Sequence, residues 1–266
     1  SLSSRSFLWC FLFRLFLFFL LLFSFPSFAS LWSENELHIQ QGKLNQPFAD
    51  VSGTTSDTTI VTFQHASGWE YGQHFFFVDY ASTEDDDSLY AEWYPSLSTH
   101  ALFDSTYGGV LKDISVVMGV NMAPESDVLK YLPGVQLHLD VDGFQFLNLL
   151  IAGYIDDSEG ISAGGAPKEG DSWMLDLAWR YPLAIKSQHF YIEGHVEYID
   201  ERSSEIPGVT VESWGLAQAQ VRWDAGNAFF DVKDRLFLGI EYQYWNNKLG
   251  TQEKDNTVQA LAVWRF

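Results

Sequence analysis

The chain has 266 residues, of which 35 are acidic and 15 are basic, and its formal net charge is −20. Such an acidic protein is a poor partner for nucleic acid or for an anionic membrane surface, because these carry negative charge themselves. Cys10 is the single cysteine in the sequence. A disulfide framework is therefore excluded, and burial and backbone hydrogen bonds must hold the fold together.

The N-terminal segment has the pattern of a secretory signal peptide. A basic start precedes nine consecutive apolar residues at 15–23, and the small residues Ser27 and Ala29, two positions apart, lead to a cleavage site after Ala29. A membrane anchor is the alternative, since ~20 apolar residues span a bilayer, but Arg14 interrupts the apolar run. We predict a signal peptide over 1–29 and a mature domain over 30–266.

The mature part carries twelve segments of about ten residues in which every second residue is apolar, with turn residues between them. In one of them, Trp173, Leu175 and Leu177 alternate with polar residues such as Asp176. We predict strands at approximately 32–41, 58–66, 73–81, 88–95, 113–122, 131–140, 145–155, 172–181, 189–199, 213–223, 236–245 and 257–266. No mature segment has the length and apolarity of a membrane helix, so these strands form either a soluble sandwich or a membrane barrel.

Three features favour the barrel. The number of strands is even, as in bacterial outer-membrane barrels, and most connections alternate between acidic, flexible loops and tight turns, with a long exception at 96–112. Aromatic residues that would form girdles at the two membrane interfaces cluster at strand ends: Trp93, Trp173, Tyr181, Tyr198, Trp223, Trp245 and Trp264. We predict an all-β fold, a transmembrane antiparallel up-and-down β-barrel of about 12 strands, as a multi-pass protein of the bacterial outer membrane.

The alternation in the last predicted strand distinguishes its apolar face from its polar face. Trp264 and Phe266 share the apolar face with other alternate residues, whereas Gln259 and Arg265 lie on the polar face. In a membrane barrel the apolar face meets lipid and the polar face lines the lumen. A terminal Phe in this pattern is typical of the signal read by the outer-membrane insertion machinery, which we expect to be a partner through Phe266.

Three stretches carry a resemblance to a known family. Residues 32–37 (WSENEL), 61–69 (VTFQHASGW) and 75–79 (FFFVD) resemble the nucleoside-specific channel (Tsx) family, in particular its OmpK-type members. The resemblance implies a monomeric twelve-stranded barrel with a narrow channel that binds nucleosides and passes them inward. Some members of this family also serve as phage receptors, so a phage is a further possible partner.

A nucleoside channel needs ring faces for stacking, worth ~1–3 kcal/mol per base, and carboxylates or amides for hydroxyl groups and base edges. The predicted lumen face offers such residues: Phe75, Phe77, Asp79, Glu92, His138, Asp140, Asp176, Arg180, Glu193, His195, Glu197, Gln218, Gln220, Arg222, Glu241 and Gln243. Phe75 and Phe77 are the most diagnostic, although a register shift of one residue would turn Phe76 inward instead. The alternative is a lumen filled by a salt-bridged plug, with Arg180 and Arg222 as structural partners.

No catalytic, cofactor or metal site is predicted. Residues 160–164 (GISAG) match a nucleophile elbow in letters, but they lie in a glycine-rich loop without the required strand and helix. An outer-membrane lipid hydrolase would need a Ser or Thr near a His on the lipid face, and the sequence shows no such constellation. We predict a channel for passive uptake of nucleosides or similar small neutral solutes, rather than an enzyme. The remaining alternative is a closed structural or phage-receptor barrel.

Overall fold

The computed structural model describes residues 30–266, and the predicted signal peptide lies outside them. The strands within this range are β1 (Trp32–Asn45), β2 (Thr55–Trp69), β3 (Gly72–Ser82), β4 (Asp87–Ser98), β5 (Leu111–Ala123), β6 (Val128–Leu139), β7 (Phe146–Asp156), β8 (Ser172–Ile185), β9 (Gln188–Ile199), β10 (Arg202–Ser203), β11 (Thr210–Val211), β12 (Trp214–Asp224), β13 (Leu236–Asn246) and β14 (Lys254–Arg265). Twelve of them close into one antiparallel barrel, in which β14 pairs with β1. The predicted fold is confirmed, with β10 and β11 as a small hairpin outside the barrel.

Short helices occupy some connections. They are α1 (Thr99–Phe103), α2 (Ala225–Phe230) and single 3₁₀ turns at Pro124–Ser126, Ile161–Ala163 and Lys248–Gly250. Both α1 and α2 are capped at their N-termini, since the side chain of Ser98 accepts from the amide of Ala101 and that of Asp224 accepts from Asn227. No helix within residues 30–266 is long and apolar enough to cross a membrane.

The two ends of the barrel differ less in loop length than the sequence suggests. We call the end where β1 begins and β14 finishes the terminal end, and the opposite one the far end. Turns of two residues at 70–71 and 186–187 close hairpins at the terminal end, but α1 and α2 lengthen two other connections there. The predicted contrast between tight turns and long loops is therefore only partly present.

The barrel is apolar outside and polar inside. Residues paired across antiparallel strands point to the same side of the sheet, so the register divides each strand into an outer and a lumen face. Outer-face Val258 and Trp264 are 58% and 50% exposed, whereas Gln259 between them is fully buried in the lumen. This arrangement suits a barrel whose outer surface meets lipid.

Most of the predicted girdle residues lie on the outer face. Trp173 and Tyr198 pack together there with ring centroids 5.3 Å apart. The prediction was wrong for Trp245, which pairs with Leu216 and Asp255 and faces the lumen, where its ring meets Trp214 at 6.4 Å. An aromatic residue at a strand end fills a lumen mouth as readily as an interface, and only its parity on the strand separates the two.

The outer face at mid-height gives a direct test of lipid exposure. Ile240 on β13 is 47% exposed and lies between Val221 and Ala260 of the neighbouring strands. Ile240→Lys should lower the free energy of unfolding by about 2–4 kcal/mol, the cost of a cation near the bilayer midplane. Ile185→Lys, the same change at the end of β8, should cost only about 0–1 kcal/mol. Urea titration of the protein in lipid vesicles measures both, and equal losses would contradict the assigned depth.

Candidate functional site in the barrel lumen

The first group of lumen residues lies on β3. Phe75, Phe77 and Asp79 pair with Ala66, Gln64 and Thr62 of β2, on the face that leads to the buried side chains of β1. The hydroxyl of Thr62 donates to Asp79 at 2.5 Å. Phe76 points outward instead and packs on Phe63 with ring centroids 5.9 Å apart. The structure thus places the predicted Phe pair in the lumen.

β4 extends this aromatic row. Phe77 lies 6.1 Å from Phe75 and 6.1 Å from Tyr90, measured between ring centroids. The hydroxyls of Tyr90 and Tyr94 donate to the two oxygens of Glu92 at 2.5 and 2.7 Å. The strand pattern predicted Glu92 as a lumen residue but not the two tyrosines, although they lie two residues away on the same face of the strand. The result is an aromatic wall with a carboxylate fixed in it.

A second polar group joins β8, β9 and β12. His195 Nδ1 lies 2.6 Å from an oxygen of Asp176, and its Nε2 lies 2.9 Å from Gln218 Oε1. The side chains of His195 and Asp176 keep 31% and 18% of their surface exposed, so solvent reaches them at mid-height of the barrel. Three of the predicted site residues are therefore brought together by hydrogen bonds on the lumen face.

The wall formed by β12–β14 is buried by comparison. Glu241 is 2% exposed and accepts from Gln220 at 2.6 Å and from Gln259 at 3.0 Å. Its neighbour Gln243 donates to Asp255 at 3.1 Å. These amide and carboxylate contacts are satisfied within the protein, so this part of the predicted set fills the lumen.

At the terminal end, a network of ion pairs crosses the lumen. Arg180 of β8 binds Glu193 and reaches Glu34 of β1 at 2.8 Å, although β1 and β8 are five strands apart around the ring. Arg222 contacts Glu193 and lies 3.0 Å from Glu36. Glu36 also receives a bond from Arg265. We call these six residues the terminal-end network: Glu34, Glu36, Arg180, Glu193, Arg222 and Arg265. Arg180 and Arg222 have the structural role that the plug alternative gave them.

The far end has its own ion pairs above an apolar cluster. Lys130 lies 3.0 Å from Asp156 and 2.8 Å from Glu169, which also binds Arg202 at 2.7 Å. The Arg202 guanidinium covers the ring of Trp214 at 4.3 Å. The buried cluster beneath consists of Val117, Leu132, Leu150, Ala152, Tyr154, Met174, Ile199 and Trp214. This far-end cluster fills part of the lumen with apolar side chains, which the strand pattern did not predict.

Every ion pair between a described lysine or arginine and a carboxylate lies at one of these two ends. The middle layer between them contains Asp79, Glu92, Asp176, His195, Glu197 and Glu241, which share the lumen face in the strand register. This layer therefore presents carboxylates, hydroxyl groups and aromatic rings to the lumen.

Two predicted residues stand apart from this layer. His138 lies in the lumen, where Ser115 approaches its Nε2 at 2.8 Å and the Asn148 amide oxygen its Nδ1 at 3.0 Å. Asp140 lies beyond the end of β6, in an exposed turn. Its backbone amide donates to the carbonyl oxygen of Val110. Asp140 therefore does not contribute to the lumen wall.

The far-end loops are tied to one another outside the membrane-spanning strands. Glu205 accepts the backbone amides of Ile161 and Lys168, both at 2.9 Å, and these bonds hold the pKa of its carboxyl below the usual value. The hydroxyl of Ser52 and the amide of Asn45 similarly lower the pKa of Glu253. No group of three or more His, Cys, Asp or Glu among residues 30–266 is placed to hold a metal ion.

Comparison with solved structures agrees with this architecture. The NanC porin is 11% identical, with 86% of this chain and 98% of that chain covered and a TM-score of 0.50. The KdgM porin is 9% identical, with 87% of this chain and 99% of that chain covered and a TM-score of 0.48. An outer-membrane channel from Pseudomonas putida F1 is 9% identical, with 91% of this chain and 99% of that chain covered and a TM-score of 0.47. No family model and no curated protein matches the chain. The chain has the fold of an outer-membrane β-barrel and crosses that membrane with its strands.

Proposed function

We propose that this barrel is an outer-membrane channel for passive uptake of nucleosides or similar small neutral solutes. The observation that carries the proposal is the aromatic row on β3 and β4, in which Phe75, Phe77 and Tyr90 follow one another beside Asp79 and Glu92. A flat base stacks on such rings for ~1–3 kcal/mol. Carboxylates accept hydrogen bonds from the hydroxyls of a sugar.

The partly exposed side of the lumen supplies complementary groups. His195, Asp176 and Gln218 offer both donors and acceptors at mid-height, where they remain partly exposed. Binding on two sides orients a solute, and passage requires that this binding stay weak enough for release. The sequence resemblance to the nucleoside-specific channel family supports the same substrate class.

Conductance of planar bilayers containing the purified protein tests the proposal. Nucleosides are expected to block the current of the wild type. In Phe75→Ala with Phe77→Ala the block should weaken by about 5–150-fold per lost ring, the equivalent of ~1–3 kcal/mol. Phe76→Ala is the matched control, because this neighbour faces outward and should leave the block unchanged. A current that no nucleoside blocks would rule out the specific channel.

A closed structural barrel is the second candidate, and the terminal-end network favours it. The contact between Arg180 and Glu34 joins nearly opposite walls of the lumen. A barrel closed in this way would show no conductance at any solute concentration, so the same bilayer measurement separates the two candidates.

A further inference from the structure

Polar side chains interrupt the outer face at the terminal end, on β1–β3. Four of them lie between the cross-strand pair Leu37–Phe63 and the terminal end of the barrel: Asn35, His65, Ser67 and His74. Ionisable and polar residues on the lipid side of a barrel are costly and mark functional sites. None of the four faces the lumen, so the proposed channel does not account for them.

The four side chains are bonded in pairs. Ser67 Oγ lies 2.8 Å from Nε2 of His74, and His65 Nδ1 lies 2.7 Å from the amide oxygen of Asn35. Since an amide oxygen only accepts, His65 carries its proton on Nδ1 and keeps a basic Nε2. The two imidazole rings lie 5.0 Å apart between centroids. Nδ1 of His74 is buried and finds no partner among the described residues.

The contact between Ser67 and His74 is of a kind that supports nucleophilic chemistry. A serine hydroxyl within hydrogen-bond distance of an imidazole nitrogen is one element of an activated nucleophile. Aromatic rings of an interface, here those of Trp69 and Phe76, lie within 6.3 Å of the ring of His74. Lipid ester bonds lie at this same boundary between hydrocarbon and headgroup.

We propose that Ser67 and His74 form an acyl-transfer site on the outer wall, which hydrolyses the ester bond of a lipid lying against β2 and β3. Asn35 and His65 are positioning residues, because the fixed tautomer of His65 presents a basic nitrogen beside the ring that must become protonated. The strand register, rather than the sequence, reveals the site: Ser67 and His74 are cross-strand partners joined through the hairpin turn at 70–71.

The reaction balances with water as the second substrate. Ser67 Oγ attacks the ester carbonyl carbon while His74 Nε2 takes the hydroxyl proton. The bond from that carbon to the alcohol oxygen then breaks, and His74 returns the proton to the departing alcohol. Water attacks the acyl-serine with loss of a proton to His74, and the carboxylic acid leaves as Ser67 Oγ regains that proton.

The test uses the full barrel in detergent micelles with a medium-chain p-nitrophenyl ester and a fluorophosphonate probe that labels nucleophilic serines. Wild type is expected to hydrolyse the ester and to be labelled at Ser67. Ser67→Ala should abolish labelling, and Ser67→Ala and His74→Gln should each lower turnover by about 100-fold or more. Ser33→Ala is the matched control, since Ser33 stands directly opposite Ser67 on β1 and should behave as wild type.

Further readouts separate chemistry from loss of structure. Heat-modifiable migration on a gel shows that each variant is folded, and bilayer conductance should be unchanged, because all these residues face away from the lumen. Asn35→Ala should lower kcat with KM unchanged and alter the pH profile of turnover. Absence of both ester hydrolysis and Ser67 labelling in the folded wild type would overturn the proposal while leaving the channel untouched.

Discussion

Glu36→Gln is expected to lower the free energy of unfolding by about 3–5 kcal/mol, the usual effect of breaking a buried ion pair from one side. Glu36 is fully buried and is bonded by Arg222, Arg265 and the Nε2 of His38. Its neutralisation leaves two guanidinium groups facing each other in a lumen with fewer compensating carboxylates. A single removed charge therefore weakens contacts to two other strands, β12 and β14, at once.

Equilibrium unfolding in urea, with the protein inserted in vesicles, measures this loss. Glu84→Gln in the exposed loop between β3 and β4 is the control, and should change stability by no more than about 0.5 kcal/mol. The double variant Glu36→Gln with Arg222→Gln should lose less than the sum of its single variants, since the two residues share one network. Additive losses would show that the pair is not coupled.

Trp214→Ala is expected to cost about 3–5 kcal/mol, the range for removing a large aromatic side chain from a packed interior. Trp214 is 5% exposed, donates its indole N–H to Glu197 at 3.1 Å and lies under the Arg202 guanidinium at 4.3 Å. Its removal also withdraws a ring from the far-end cluster, so the lumen should widen there. A rise in single-channel conductance should accompany the loss of stability.

The matched control for this change lies on the other face. Trp173 is 43% exposed on the outer surface of β8, where its ring packs on Tyr198. Trp173→Ala should leave conductance unchanged, because the ring does not border the lumen. Equal conductance in wild type and Trp214→Ala would show that the far-end cluster does not limit the passage.

The fold could be predicted from the sequence because apolar and polar residues alternate along each barrel strand, one set facing lipid and the other the lumen. Phe75 and Phe77 have the same parity as Asp79, and the structure keeps all three in the lumen. The strands run up to four residues beyond their predicted ends, for example β8 to Ile185. Outside the membrane the strand needs no apolar alternation, so the pattern stops before the backbone pairing does.

Contacts across the lumen could not be predicted in this way. Alternation says that Arg180 points inward, but not that it reaches Glu34 on a strand five places away. The partner depends on barrel diameter and on which side chains meet at one height. Trp245 is a different case, because its parity matches that of Glu241 and Gln243 and already places it on the lumen face. The contact between Ser67 and His74 was not predicted for a related reason. The two residues lie on different strands, and alternation within one strand does not show which residues pair across the hairpin.

The closing seam between β1 and β14 also bears on how the molecule is made. Its ladder runs only from Glu36 to Gln41, whereas β1 pairs with β2 along its whole length. Beyond Gln41, side chains replace the ladder, with Asp255 accepting the amide of Asn45 at 2.7 Å. The bond between Glu36 and Arg265 joins residues that are 229 apart in the sequence, so closing this seam has a large cost in loop entropy. We therefore expect β1 and β14 to pair last during insertion, after the hairpins have formed.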